Sequence, residues 1–237
     1  MQKRIAIVAV WLAGLALSLA QPAVSKNVVF KPTFITGNDS FTAGTAFVCE
    51  TVDGKQQLLL TAQHLFGTAG GFESEIPWDK LNDAVKLTVG VSMDNYEVSI
   101  LSKRALLIQG AHALDDKTLA NDIAAFVLDS NKSRPTLKLA KAEPKKGDRL
   151  WLYGRQRGAD KLEFYPCKVV SSDSRELDYE FDSKNIKMAG TSGAPVLNAD
   201  GEVVAINIGG SEQKGKLIGY GNPLLSIESH LEKALKN

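Results

Sequence analysis

The sequence predicts an all-β chain in two halves, and three observations carry that expectation. Short apolar and β-branched runs recur from Phe41 to Tyr220, separated by Gly, Asn, Asp and Pro turns, the pattern of a sandwich or barrel. A polar, basic connector, Ser133 to Gly147, holds Pro135 and Pro144 and divides the runs into two sets. Helical periodicity is persuasive only after Pro223, where Leu224, Ile227, Leu231 and Leu235 recur at three- and four-residue steps.

In chain order, Asn27 to Thr36 reads as an irregular or edge segment broken by Pro32, and Phe41 to Glu50 as a strand containing Gly44. Asp53-Gly54 signals a hairpin turn, with Gln57 to Thr61 as the return strand. Gly67 to Gly71 is a loop, and Pro77-Trp78-Asp79 starts a short helical turn. Strands follow at Lys86–Met93, Tyr96–Ser102, Ala105–Ile108 and Ile123–Leu128, with Leu114–Leu119 ambiguous. Leu137 and Leu139 alternate within the connector and could add a strand. Leu150–Gly154, Leu162–Val170, Leu177–Phe181, Val196–Leu197, Val203–Ile208 and Lys216–Tyr220 make up the second half. Ser226, Glu228 and Ser229 are the capping groups expected at the start of the terminal helix.

A chain of 237 residues that is 44% apolar can bury one large core or two small ones, which excludes a disordered protein. Residues 1–20 predict a signal peptide. Lys3 and Arg4 precede the apolar run Ile5–Leu19, and Ser18 and Ala20 sit at −3 and −1 for cleavage before Gln21. The run is shorter than the ~20 residues that span a bilayer, so no stable membrane anchor is expected after removal; an uncleaved anchor is the alternative. No cysteine follows the cleavage point, which argues against a lipoprotein. Without Lys3 and Arg4 the 28 basic residues fall to 26 against 27 acidic ones, so the charge passes from +1 to −1. Nucleic acid is therefore not expected as a partner, and Lys138, Lys141, Lys145 and Lys146 read as a solvated linker. Export permits a Cys49–Cys167 disulfide, but that bond would have to join the two halves, and two separate buried thiols are the favoured expectation. Neither cysteine has the spacing of a zinc site.

Three stretches carry chemistry. Thr61-Ala62-Gln63-His64 ends an apolar strand, Asn121-Asp122-Ile123 heads another, and Gly190-Thr191-Ser192-Gly193-Ala194-Pro195 is a tight glycine turn around a serine. Each alone is also compatible with a structural role: a core histidine, a strand-cap aspartate, a hairpin turn. Together, in the order His, Asp, Ser, they resemble the chymotrypsin-like (trypsin-like) serine peptidases over about Thr61 to Gly210.

That resemblance implies two six-stranded antiparallel β-barrels and a C-terminal α-helix. Residues 21–134 would form the barrel carrying His and Asp, and residues 135–237 the barrel carrying Ser and ending in the helix. It implies His64 as general base, Asp122 as the carboxylate that orients it, and Ser192 as nucleophile; Asp115 is the second candidate for the acid. The N–H groups of Gly190 and Ser192 would form the oxyanion hole. The pocket floor would fall at Ile186, six before the serine, with Ile208, Gly209 and Gly210 as a wall. An apolar floor argues against Arg or Lys selection, because a buried cation would lack its partner, and favours a neutral aliphatic or aromatic side chain. The sequence departs from the family in two places. Thr191 stands where zymogens carry an aspartate for a new N-terminus, so activation by N-terminal cleavage is not implied and the likeness is to bacterial-type members. Leu65 stands where the cystine partner beside the histidine would be.

The expected function is thus an exported serine endopeptidase, secreted or periplasmic, acting on protein or peptide substrates through an acyl-enzyme, with no metal or cofactor required. An α/β-hydrolase would need Gly-x-Ser-x-Gly, but Ala194 lies two after Ser192, and its triad order is different. The other reading is a non-catalytic binding protein on the same scaffold.

Overall fold

The structure is a computed structural model that describes residues 20–37, 39–113, 118–129 and 133–236. The expected signal segment up to Leu19 and the second acid candidate, Asp115, lie outside the described residues. The first half contains β1 (Val29–Ile35), β2 (Ser40–Thr42), β3 (Ala46–Glu50), β4 (Gln57–Thr61), β5 (Leu87–Ser92), β6 (Ser99–Ser102), β7 (Ala105–Leu106) and β8 (Ala124–Val127). A short helix, α1 (Leu81–Ala84), follows the 3₁₀ turn Trp78–Lys80 where the Pro-Trp-Asp start places it. The second half contains β9 (Arg149–Gly154), β10 (Glu163–Ser172), β11 (Leu177–Phe181), β12 (Pro195–Leu197), β13 (Val203–Gln213) and β14 (Lys216–Pro223), then α2 (Leu224–Lys236).

The second half closes into a six-stranded barrel in the order β10-β11-β14-β13-β12-β9. The first half does not match the expected six-stranded barrel. It is an eight-stranded sheet, β6-β5-β1-β3-β4-β8-β7 with β2 on β1, and no ladder joins its ends among the described residues. Two short strands, β2 and β7, account for the larger number. At the open seam Ser102 Oγ donates to the Val127 carbonyl at 2.7 Å. A side chain thus satisfies a backbone acceptor where a closing strand would otherwise be needed.

The segment around Pro32 is not an edge. β1 lies between β5 on one side and β3 and β2 on the other. Met93 N–H bonds the Val29 carbonyl, so odd-numbered residues of β1 turn their backbone groups to β5 and even-numbered ones turn away. On that other side the partners stop at Phe30 and resume at Thr33. Pro32, which has no N–H to give, faces the break.

The connector joins both halves through backbone bonds. Leu137 N–H bonds Val48 O and Glu50 N–H bonds Leu137 O, after which Val203 N–H bonds Lys138 O and Ala140 N–H bonds Val203 O. One core is built on Phe34, Phe47, Phe66 and Phe126 of the first half and takes in Leu197, Val203 and Ile206 of the second, while Tyr179, Leu152, Val196 and Val204 form a separate core within the second half. Leu224, Ile227 and Leu231 of α2 are buried, whereas Leu235 is largely exposed. The expected serine caps are not used: Glu143 of the connector accepts from the Leu225 N–H at 2.6 Å, and Ser226 Oγ turns to the Ala120 carbonyl. Among the described residues no helix is long and apolar enough to cross a membrane.

Candidate active site

His64 sits in a 3₁₀ turn, Gln63–Phe66, that begins two residues after β4 ends. Its apolar strand Leu58-Leu59-Leu60 is buried in the sheet, so the imidazole is carried at the rim on a rigid support. Asp122, fully buried, precedes β8, the next strand across. One carboxylate oxygen meets His64 Nδ1 at 2.7 Å and the other accepts the His64 backbone N–H at 2.9 Å. Two bonds from one carboxylate fix both ring orientation and tautomer, leaving Nε2 as the basic nitrogen. The loop carrying Asp122 is itself held from the second half. Asn222 Nδ2 donates to Ala120 O at 2.9 Å, and His230 Nε2 lies 3.1 Å from both Ala120 O and Asn121 Oδ1. His112 Nε2 meets the Asn121 amide at 3.1 Å. The two other histidines, which have no motif around them, thus brace this loop.

Ser192 lies in the turn between Gly190, at φ +90°, and Gly193, at φ +83°. Both glycines are in the left-handed region, and a Cβ on Gly193 would fall 2.2 Å from Thr45 O. The carbonyls of the turn are pinned one by one. Ala189 O accepts from Arg157 N–H (2.7 Å), Gly190 O from Thr45 Oγ1 (2.8 Å), Thr191 O from Asn207 Nδ2 (2.8 Å) and Ser192 O from Thr45 N–H (2.7 Å). The N–H groups of Thr191, Gly193 and Ala194 donate to Met188 O, Asn207 O and Thr191 O. Those of Gly190 and Ser192 have no acceptor among the described residues, and both residues line an open cleft. Because a peptide's N–H points opposite its C=O, the pinned Ala189 and Thr191 carbonyls fix the direction of these two donors. Such an arrangement can stabilise an oxyanion without reorganising.

The Ser192 hydroxyl donates to the Ile208 carbonyl at 3.2 Å. A hydroxyl has one proton, so a bond to His64 Nε2 requires it to leave the Ile208 carbonyl. Tight catalytic bonds commonly form only with substrate bound.

The motifs did not reveal Thr45, Asn207 and Tyr179, three buried residues that organise the turn. Asn207 was legible in principle: a polar residue inside the apolar run Val203–Ile208 must find partners if buried. Its amide donates to Thr191 O and Oγ1 and accepts from the Tyr179 phenol. Burial pushes that phenol's pKa well above its ordinary value, so it keeps the proton it donates. Thr191 Oγ1 in turn donates to Met188 O at 2.6 Å. A neutral network therefore occupies the position where an aspartate–amine pair was not available.

Around the expected pocket, Ile186 is half-buried against the second core, and Ile208 is buried. The Met188 side chain lies over Gly210, with its Cγ 3.1 Å from where a Cβ would stand, and the Tyr220 ring covers Gly209. Leu65, at the position of the missing cystine partner, packs directly over Gly44. Cys49 and Cys167 are both free and buried; burial pushes both thiols far above their ordinary range. Among the described residues no group of three or more His, Cys, Asp or Glu is placed to hold a metal ion.

The geometry agrees with what the chain is similar to. No curated protein sequence matches it. Among solved structures, a thermostable serine protease, AL20, from an extremophilic microorganism superposes with a TM-score of 0.60 at 15% identity, covering 90% of this chain and 99% of that one. A Glu endopeptidase gives 0.59 at 14% identity, covering 90% and 93%. The active form of the Rv3671c protease of M. tuberculosis gives 0.56 at 14% identity, covering 88% and 81%. These likenesses establish the fold. The sequence model of the trypsin-like peptidase domain matches residues 44–206, more than half of the chain. By that match, this chain belongs to the trypsin-like peptidases.

Proposed function

We propose that the protein is an exported serine endopeptidase that cleaves peptide bonds through an acyl-enzyme on Ser192. One observation carries the reading: the buried Asp122 carboxylate holds both Nδ1 and the backbone N–H of His64. In this reading the Ser192 hydroxyl leaves Ile208 O and gives its proton to His64 Nε2 as its oxygen attacks the carbonyl carbon. The Gly190 and Ser192 N–H groups take the oxyanion. The imidazolium, stabilised by Asp122, then protonates the leaving amine, and water repeats the sequence to release the acid. The first-half sheet serves as the second barrel of the family fold, left open at the Ser102 seam. The apolar surroundings of Ile186 and Met188 favour a neutral side chain at the cleavage position. Export rests on the segment Met1–Ala20, and the N-terminus of the mature protein, expected at Gln21, checks it.

The binding-protein reading is favoured by the Ser192–Ile208 bond, which keeps the nucleophile off the base. Incubating the mature protein with an unstructured protein substrate and sequencing the new termini separates the two. Cleavage by the wild type that vanishes in Ser192→Ala supports the endopeptidase. Intact substrate with both, under folded conditions, supports the binder.

A further inference from the structure

A cleft of about 1130 Å³ opens beside Ser192 and Gly190 and is lined by three cations, Lys31, Arg155 and Arg157. Lys31 is half-buried on β1 and its ammonium donates to Gly44 O at 2.7 Å, one residue from the Thr45 that clamps the serine turn. Arg155 follows β9, lies 5.6 Å over the Tyr96 ring and donates to the Tyr96 hydroxyl, so its guanidinium is positioned rather than free to wander. The Arg157 N–H pins Ala189 O, which puts Arg157 beside the peptide whose N–H points to the oxyanion position. None of the three has a carboxylate within ion-pair distance among the described residues, and Asp160 is the only acidic residue in the lining. Burial, and after it repulsion by Arg155 and Arg157, lowers the Lys31 pKa from its ordinary value, so the three charges act on one another. Like charges gathered without a counter-charge focus a field that attracts an anion.

The cleft is bounded by Gly44 and by Thr68–Gly71, the loop that follows His64, and not by the Ile208–Gly210 wall. A segment lying there is on the side of the base that protonates the departing amine. We infer that this cleft receives a carboxylate on the segment that leaves first, so substrates with an acidic residue just after the cleaved bond are preferred. The inference rests on the endopeptidase reading and adds a substrate class to it. The carboxylate could belong to an Asp or Glu side chain or to the C-terminus of a short leaving segment.

The test uses matched peptides with Asp, Ala or Lys in the two positions after the cleavable bond, each with a free or an amidated C-terminus. Binding to mature Ser192→Ala is read by fluorescence anisotropy, and kcat/KM is measured with the wild type. The amidated Asp peptide is expected to bind and react about tenfold better than the Ala peptide, with Lys worst, and added salt should shrink the ratio. Arg155→Gln combined with Arg157→Gln brings the Asp-to-Ala ratio close to one, whereas Lys141→Gln, which removes a charge from the exposed connector, leaves the ratio as it is. An advantage confined to free-acid peptides assigns the cleft to a terminal carboxylate. Equal binding of the Asp and Ala peptides in both C-terminal forms overturns the inference, whatever the wild type cleaves. A preserved Asp preference in binding with no cleavage by the wild type overturns the endopeptidase reading alone.

Discussion

Asn207 shows how much one buried side chain can decide. Its amide meets Thr191 twice and accepts from Tyr179, while its backbone pairs with Gly193 and Ala194. Removing it leaves the Thr191 carbonyl with the Ala194 N–H alone, so the peptide that aims the Ser192 N–H is held less firmly. Asn207→Ala is therefore expected to lower kcat by roughly 10²–10³, the cost of losing one oxyanion donor, with KM little changed. Tyr179→Phe keeps the donor to Thr191 and strands only the amide oxygen. It should lower stability by about 1–3 kcal/mol in a denaturant melt yet keep most of the activity. Steady-state kinetics with paired melts check both, and equal kinetic losses in the two variants would contradict the assigned roles. At Asp122, the change Asp122→Asn keeps the shape but offers an amide where Nδ1–H needs an acceptor. If the proposed function holds, the expected loss in kcat is of order 10⁴.

At the scale of elements, α2 and the loop before β8 work as a pair. Ser226 and His230 of the helix and Asn222 before it all reach Ala120, two residues from the acid. His230 has its pKa lowered from 6.5, first by burial and further by electrostatic coupling to Lys233 and His112, against the raising effect of its bond to Ala120 O. The folded state thus binds this proton less well than the unfolded chain. The contribution to stability is full above about pH 6.5 and is lost as pH falls through the lowered folded pKa. Denaturant midpoints of the wild type should fall over that window more steeply than those of His230→Gln; parallel curves would remove His230 from the account. The strands were legible because their apolar runs and turn residues are local signals. Asp53-Gly54 is a turn, with Gly54 at φ +69°, and Leu177–Phe181 matches β11 residue for residue. Pro32 misled because its tolerance depends on a gap between β3 and β2 that only the assembled sheet reveals. The helix cap at Glu143, 82 residues from Leu225, is hidden for the same reason.

For the whole molecule, the two halves meet at the serine turn. Thr45, 145 residues from Gly190, holds the turn from the first half, and Asn207 holds it from the second. Motif contexts therefore marked His64, Asp122 and Ser192 as candidates, while the residues that hold the serine turn act by side chain on distant backbone, and of these only Asn207, polar within an apolar run, left a local trace. The interior also explains why no cross-link is needed. Cys49 in β3 and Cys167 in β10 lie in different cores, and native protein should resist thiol reagents while denatured protein reacts at both positions. Native labelling at either cysteine would contradict this packing. The most direct measurement of the central claim, a serine activated by a carboxylate-oriented imidazole, is intact-mass analysis after exposure to a fluorophosphonate, followed by peptide mapping. One adduct on Ser192 is predicted, absent from Ser192→Ala and nearly absent from His64→Ala. A folded wild type that stays unmodified, or one labelled equally well without His64, would contradict the account.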